Sequence, residues 1–396
     1  MFEKVETAPP DPILGLTEAF KSDTRENKIN LSVGVFVDDT GKTPILSTVK
    51  EAERRLVSAE GSKSYKPITG DPVYGRLVRE LLFGTDHAII KDERAVTAHT
   101  PGGTGALRVA GDFIARQMNG ASIWLSNPTW ANHPAIFKAA GVNTQTYNYY
   151  DAAGYKLDFD GMMESLKTIP AGDVILLHGC CHNPTGVDPS AEQWGQIGRV
   201  LSERGVLPLV DFAYQGFGRG IEEDAAGLHA LAEEVNELII CSSFSKNFGL
   251  YCERVGALTL VAGSKDAAAA IGSQMKVAIR SNYSNPPAHG GAIVATVLGD
   301  EKLRVQWMDE LGKMRQRING VRETFVKKLA EHGVERDFSF LTHQLGMFSF
   351  SGLTKEQVGK LKDEHAIYIV GSGRINVAGI TASNVDRLCE AIAAVL

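Results

Sequence analysis

Residues 174–212 read VILLHGCCHNPTGVDPSAEQWGQIGRVLSERGVLPLVDF, and this stretch decides the fold. Val174–His178 and Leu207–Phe212 are short, continuous apolar runs, as strands buried on both faces require. Between them, Ala191–Arg204 has an amphipathic, helical pattern. An apolar run, an amphipathic stretch and a second apolar run make a βαβ unit. Working outward, Ser122–Ser126, Leu238–Ser242 and Val255–Val261 are further strand candidates of the same buried type. The implied fold class is α/β, a mostly parallel sheet flanked by helices. Ligands of such sheets sit at the carboxyl ends of the strands, which says where chemistry belongs.

The pattern changes near Asp300. From Leu303 to Leu329 the residues Leu311, Met314, Ile318, Val321, Phe325 and Leu329 recur at helical spacing, and Gly333 then stops the run. One long helix follows, a spine between two domains. Beyond it, Met347–Ser351 alternates, Ile367–Val370 is apolar, Lys355–His365 is preceded by the cap pattern Thr354-x-x-Gln357, and a last helix starts near Asn384. These elements make a smaller α+β domain. The expected division is a large domain over 45–305 and a small one made of 1–44 and 306–396.

Composition narrows the class. A formal net charge of −6 with no basic block gives no electrostatic footprint for nucleic acid. Five cysteines in 396 residues are too few and odd in number for a disulfide framework and fit a reducing compartment. The amino terminus, MFEKVETAPP, has charges and prolines where a secretory leader needs an apolar run, and no apolar stretch is long enough to span a bilayer. A cytoplasmic protein with no membrane partner is expected.

Four segments carry candidate chemistry. Ser243-Phe244-Ser245-Lys246-Asn247-Phe248-Gly249, followed by Glu253-Arg254-Val255-Gly256, sets a lysine just past a buried strand. Desolvation there lowers a lysine pKa and allows Schiff-base chemistry, and the serines and Arg254 suit a phosphate. Alone, a lysine after a strand is nearly always part of a solvated loop. In Leu209-Val210-Asp211-Phe212-Ala213-Tyr214 the carboxylate of Asp211 ends an apolar strand and needs a partner, for which a protonated pyridine nitrogen serves. Taken alone, Asp211 is read first as a helix-capping or metal-binding Asp, which are common at strand ends. His178-Gly179-Cys180-Cys181-His182-Asn183-Pro184-Thr185-Gly186 makes a tight turn that presents Asn183. A metal site from its His and Cys residues is disfavoured, because adjacent cysteines on an extended chain face opposite ways and the spacing matches no zinc pattern. Thr100-Pro101-Gly102-Gly103-Thr104-Gly105 opens a helix and offers free backbone N–H groups to an anion, but lacks the third glycine of a dinucleotide fingerprint. Arg280 and Arg374 lie apart from these segments and could grip two carboxylates, or could be surface ion pairs. Trp130 could stack on a flat ring or belong to the core.

Taken together and in this order, the segments resemble the class I aminotransferases of pyridoxal 5′-phosphate (PLP) fold type I, in the aspartate/aromatic aminotransferase subgroup. The resemblance covers essentially the whole chain. It implies transfer of the amino group between L-aspartate and 2-oxoglutarate by a ping-pong mechanism, with PLP as cofactor, amino acids and 2-oxo acids as substrates, no metal, and a homodimer with shared active sites. By resemblance, Lys246 is the Schiff-base lysine and Asp211 the partner of the pyridine nitrogen. Tyr214 and Asn183 hold the ring hydroxyl oxygen, and Trp130 stacks on the ring. Gly103, Thr104, Ser243 and Arg254 bind the phosphate, with Tyr65 reaching it from the neighbouring subunit. Arg374, near Gly34, takes the substrate α-carboxylate, and Arg280 of the other subunit takes the distal one.

The rival activity is an aromatic-amino-acid aminotransferase, with Val35, Val37, Ser64 and Asn285 lining or flanking the pocket by resemblance. A lyase or decarboxylase on the same fold would use the same cofactor, but the paired arginines favour transamination of a diacid. A regulator built on the fold would need an added DNA-binding module, for which the chain leaves no room.

Overall fold

The computed structural model describes residues 2–7 and 14–396. Its centre is a seven-stranded sheet: β1 (Ala95–Pro101), β2 (Ser122–Asn127), β3 (Asn143–Asn148), β4 (Val174–His178), β5 (Leu207–Phe212), β6 (Leu238–Ser243) and β7 (Val255–Val261). Their spatial order is β1-β7-β6-β5-β4-β2-β3. The expected parallel sheet is present, with one reversed strand. β7 runs antiparallel to both β6 and β1. The reason lies in residues 244–254, which form turns rather than a crossover helix, so the chain returns against β6. Two strands escape the sequence reading. β1 is built of small and polar residues, and β3 (NTQTYN) is an edge strand with one fully buried side chain, so neither shows an apolar run.

Alternation along the strands divides the core into two layers. Val174 and Leu176 of β4 pack with Ala106, Leu107 and Val109 of the helix Gly102–Gln117. Ile175 and Leu177 point the other way and pack with Trp194, Ile197 and Leu201 of Ala191–Arg204. Period-two burial with both faces covered is why these strands read as continuous apolar runs. Ala191–Arg204 matches its sequence boundaries, opened by a Ser190/Gln193 capping box and stopped by Gly205 in the left-handed region.

The spine helix spans Glu301–Glu331, with Asp300 accepting from the Leu303 amide at its start. Leu303, Trp307, Leu311, Met314 and Ile318 belong to the core of the large sheet. Phe325 and Leu329, farther along, belong to a separate cluster with Leu341, Leu361, Ile375, Leu388 and Ile392. Ile29 and Leu31 join this second cluster, and Ile29–Asn30 pairs in parallel with Ile367–Tyr368. Lys355–His365 carries the expected Thr354/Gln357 capping box, and the last helix is Val385–Val395.

Leu311 is fully buried where the spine meets the large core. Leu311→Ala should lower stability by about 3 kcal/mol through lost burial and an unfilled cavity. The shift of the denaturant midpoint at constant slope measures it.

Candidate active site

The carboxyl ends of β4, β5 and β6, and the loops that follow them, converge on one cavity of about 550 Å³. The amino end of the helix Gly102–Gln117, placed there by β1, closes one side, and the segment around Gly34 lies on another. Gly34, Gly103, Thr104, Trp130, Asn183, Asp211, Tyr214, Ser243, Lys246, Arg254 and Arg374 all line it. Tyr65 and Arg280 do not. Tyr65 is 93% exposed, and the exposed Arg280 guanidinium is bonded to the Ser284 hydroxyl. A larger cavity, about 750 Å³, opens at the opposite ends of the strands, but Glu237 is its one ionisable lining residue. Of these two cavities, the smaller gathers acid, base and cations among the described residues.

Asp211 is 8% exposed at the end of β5. Burial alone would push its carboxyl up, but the hydrogen bond from His133 and the nearby positive charge of Lys246 outweigh it and hold the group below the usual carboxylate range. His133 Nε2 lies 3.1 Å from Asp211 Oδ2. An ionised carboxylate can only accept, so Nε2 carries the proton and Nδ1 faces the Thr129 hydroxyl at 2.7 Å. Thr129 also meets His178 Nε2 at 3.3 Å. Burial drives His178 down to about 3, so this ring is neutral at physiological pH. His133 carries no pattern that marks it in sequence; a buried histidine beside Pro134 is its only trace.

Lys246 approaches from the loop after β6, its ammonium 4.8 Å from the centre of the Tyr214 ring. Desolvation brings its pKa down to about 8; Asp211 opposes the shift, and Arg254 and Arg374 add to it. An amine near neutrality is a usable nucleophile and base. Tyr214 is buried and its phenol is pushed up by desolvation, so the hydroxyl is a neutral hydrogen-bond group.

Arg374 is 4% exposed and lies 4.2 Å over the Phe348 ring. Its Nη2 donates to the Ser32 carbonyl at 2.6 Å and its Nη1 to Asn183 Oδ1 at 3.3 Å. Nε is buried without a partner among the described residues. A buried guanidinium with no carboxylate beside it is costly, and burial lowers its pKa to about 10. Such a group is ready for an anion. Phe348 also packs under Gly34, where a Cβ would stand 2.7 Å from its ring, so any larger residue at Gly34 would displace the platform of Arg374.

A second anion site faces it. The helix Gly102–Gln117 has no side-chain cap, so its first amides are unsatisfied within the helix. Ser243 and Ser245 hydroxyls are 3.2 Å apart, and Arg254 Nη1 lies 3.4 Å from Ser245. A Cβ on Gly103 would meet Ser243 Cβ at 3.0 Å, so glycine lets the helix start close on the serines. Ser245 and Tyr251 also line the cavity, although the sequence reading gave neither a separate place in it. The vicinal Cys180 and Cys181 sit beside Asp224, but that carboxylate already accepts from the amides of Gly216, Gly218 and Arg219 at 2.8–2.9 Å. The thiols are pushed up by burial, away from the thiolate a metal needs.

The geometry can be set against known proteins. The family model of aminotransferase class I and II matches residues 26–392. The chain belongs to this family. As a class I and II aminotransferase it is 57% identical over 396 residues to the aspartate aminotransferase of Escherichia coli (strain K12), covering all of both chains. It is 48% identical to an aromatic-amino-acid aminotransferase of Pseudomonas aeruginosa, covering 100% of this chain and 98% of that one. Its fold superposes with a TM-score of 0.97, at 49% identity, on the aromatic-amino-acid aminotransferase from Burkholderia pseudomallei covalently bound to pyridoxal phosphate, over 100% of this chain and 99% of the other.

In the folded, cofactor-free chain Lys246 holds fewer protons than in the unfolded chain between about pH 8 and its ordinary 10.5. Its desolvation therefore destabilises the fold fully below that window, and the penalty disappears as pH rises through it. Reaction of Lys246 with an amine-directed reagent should be half-maximal near pH 8, and Asp211→Asn should move the midpoint lower still. A midpoint that stays at 10.5 would contradict the desolvated placement.

Proposed function

We propose that the chain is a PLP-dependent transaminase that exchanges the amino group between L-aspartate and 2-oxoglutarate, giving oxaloacetate and L-glutamate in a ping-pong sequence. One observation carries the reading. A desolvated lysine amine, a buried carboxylate and two separate cationic anion sites share a single cavity.

The residues present fit the cofactor. The free amides at Gly103 and Thr104, with Ser243, Ser245 and Arg254, suit its phosphate. Asp211, held ionised by His133, suits a protonated ring nitrogen, and Asn183 and Tyr214 suit the ring hydroxyl oxygen. Trp130 would stack on the ring, and Lys246 would hold the aldehyde carbon. The bound cofactor supplies an electron sink beside the substrate Cα, the chemistry common to this group. Everything else falls to the chain. Arg374 binds the α-carboxylate and fixes the substrate's orientation. Lys246, once released, removes the proton from Cα and returns it as general base and acid, a role its pKa near neutrality fits. Asp211 keeps negative charge where the ring is positive.

The distal carboxylate needs a cation besides Arg374, and Arg254, the other arginine lining the cavity, is assigned to the phosphate. Exposed Arg280 and Tyr65 are free to reach the cavity of a second copy, so the reading includes a homodimer with shared active sites. It also includes a two-domain division, 45–305 against 1–44 with 306–396, which the change of core along the spine helix supports. A cytoplasmic location is in keeping with the buried free thiols; no helix of the described residues is long and apolar enough to cross a membrane. Aromatic amino acids are proposed as further substrates, since Leu107, Trp130 and Phe348 give the cavity apolar walls and aromatic-amino-acid aminotransferases are among its relatives.

Purified protein with PLP should show a visible absorption band, and L-aspartate without an oxo acid should convert it while releasing oxaloacetate. If only phenylalanine or tyrosine converts it, the aromatic activity is the main one and Arg280 has another role. Lys246→Ala should lower turnover by at least about 10²–10⁴-fold, the usual worth of a general base. Arg374→Leu should raise KM for L-aspartate by about 10- to 100-fold, as loss of a charged hydrogen-bond pair predicts.

A further inference from the structure

Residues 32–39 form an irregular segment, of which Val33 and Gly34 line the cavity. Its carbonyls are held from one side. Ser32 O accepts from Arg374 Nη2 at 2.6 Å, and Val33 O and Val35 O accept from Asn376 Nδ2 at 2.6 and 2.8 Å. Arg317 donates to Asp38 O at 3.3 Å and to Asp39 Oδ1 at 2.8 Å. All three donors lie on residues 317–376. From the opposite side, among the described residues, one hydrogen bond reaches the segment. The Phe36 amide donates to the Tyr251 hydroxyl at 2.9 Å.

Tyr251 stands on the loop that carries Lys246, and its own carbonyl accepts from Arg254 Nη1 at 3.0 Å. One residue thus touches the Phe36 amide, the Arg254 guanidinium and the cavity wall. Phe36 is 4% exposed, so its amide needs an acceptor in place of water. Burial moves the Tyr251 phenol up to about 12, which keeps the hydroxyl neutral at every pH where the chain would work.

We infer that Tyr251 is a positioning residue whose hydroxyl latches the 32–39 segment to the Lys246 loop and thereby sets Arg374, through the Ser32 carbonyl, for the substrate carboxylate. This rests on the transaminase reading of the cavity. The chain of contacts is short. Tyr251 fixes Phe36, the segment fixes Ser32 O, and Ser32 O fixes one arm of the guanidinium that would meet the substrate. The Phe348 ring holds that guanidinium from below and touches the space over Gly34, so a displaced segment also loosens the platform.

The test is Tyr251→Phe in the PLP-loaded protein, which keeps the ring and removes only the acceptor. Amide exchange in a peptide covering 32–39 should accelerate about five- to tenfold, the worth of one buried hydrogen bond. KM for L-aspartate should rise by a similar factor, with a smaller fall in kcat and an unchanged visible band. A structural role alone would not separate KM from kcat in this way. Exchange and KM both within about twofold of the parent would overturn the latch. Faster exchange with unchanged KM would overturn its link to Arg374, and a fall in kcat alone would move Tyr251 into the chemistry and overturn the inference. Failure of the transaminase reading shows separately, as a parent protein with neither visible band nor aspartate turnover; the exchange measurement then still decides whether the hydroxyl holds the segment.

Discussion

A carboxylate buried at the end of a sheet strand is the constraint around which this molecule is arranged. Asp211 has left water, and without a donor it would take up a proton. His133 supplies that donor at 3.1 Å and is itself fixed by Thr129. The negative charge so retained raises the pKa of Lys246 against desolvation, and it is the feature that makes a protonated ring nitrogen a good guest. Remove the histidine, and the carboxylate, the lysine and the cofactor seat all change together.

The sheet topology brings these groups to one place. Parallel strands β4, β5 and β6 bring Asn183, Asp211 and Lys246 together at their carboxyl ends, Asp211 from β5 itself and the other two from the loops after β4 and β6. The reversal of β7 matters equally, because residues 244–254 turn back instead of crossing over. That turn puts Lys246, Tyr251 and Arg254 within one loop, with Arg254 itself at a φ of 53°. The second anion site comes from elsewhere: Arg374 lies on the strand Arg374–Asn376 of the C-terminal part and is braced by the segment near Gly34. The cavity thus draws on residues from Gly34 to Arg374, far apart in the chain, while the helix Glu301–Glu331 contributes side chains to two separate cores.

Much of this was legible in the chain. Strands β2, β4, β5, β6 and β7 announced themselves because burial disfavours polar residues along most of their length, and Ala191–Arg204 and Lys355–His365 were bounded by caps whose side-chain bonds are local. Strands β1 and β3 were silent, since small residues and an edge position leave no apolar run. Lys246, Asp211 and Arg254 could be picked out, but each had a bland reading until the segments were taken together. His133 and the hydroxyl of Tyr251 had no voice, because their roles rest on partners 78 and 215 residues away.

What the sequence by itself determined is what depends on near neighbours: the alternation of buried strands and amphipathic helices, the capping boxes, the glycine-rich helix start, and the order of motifs that resembles one enzyme family. What only the tertiary structure decided is which charges meet. The histidine that keeps Asp211 ionised, the free edge of Arg374, and the absence of Arg280 and Tyr65 from their own chain's cavity are all matters of distance through space. Electrostatic energy and desolvation are set by separation and burial, and neither is fixed until the chain has packed.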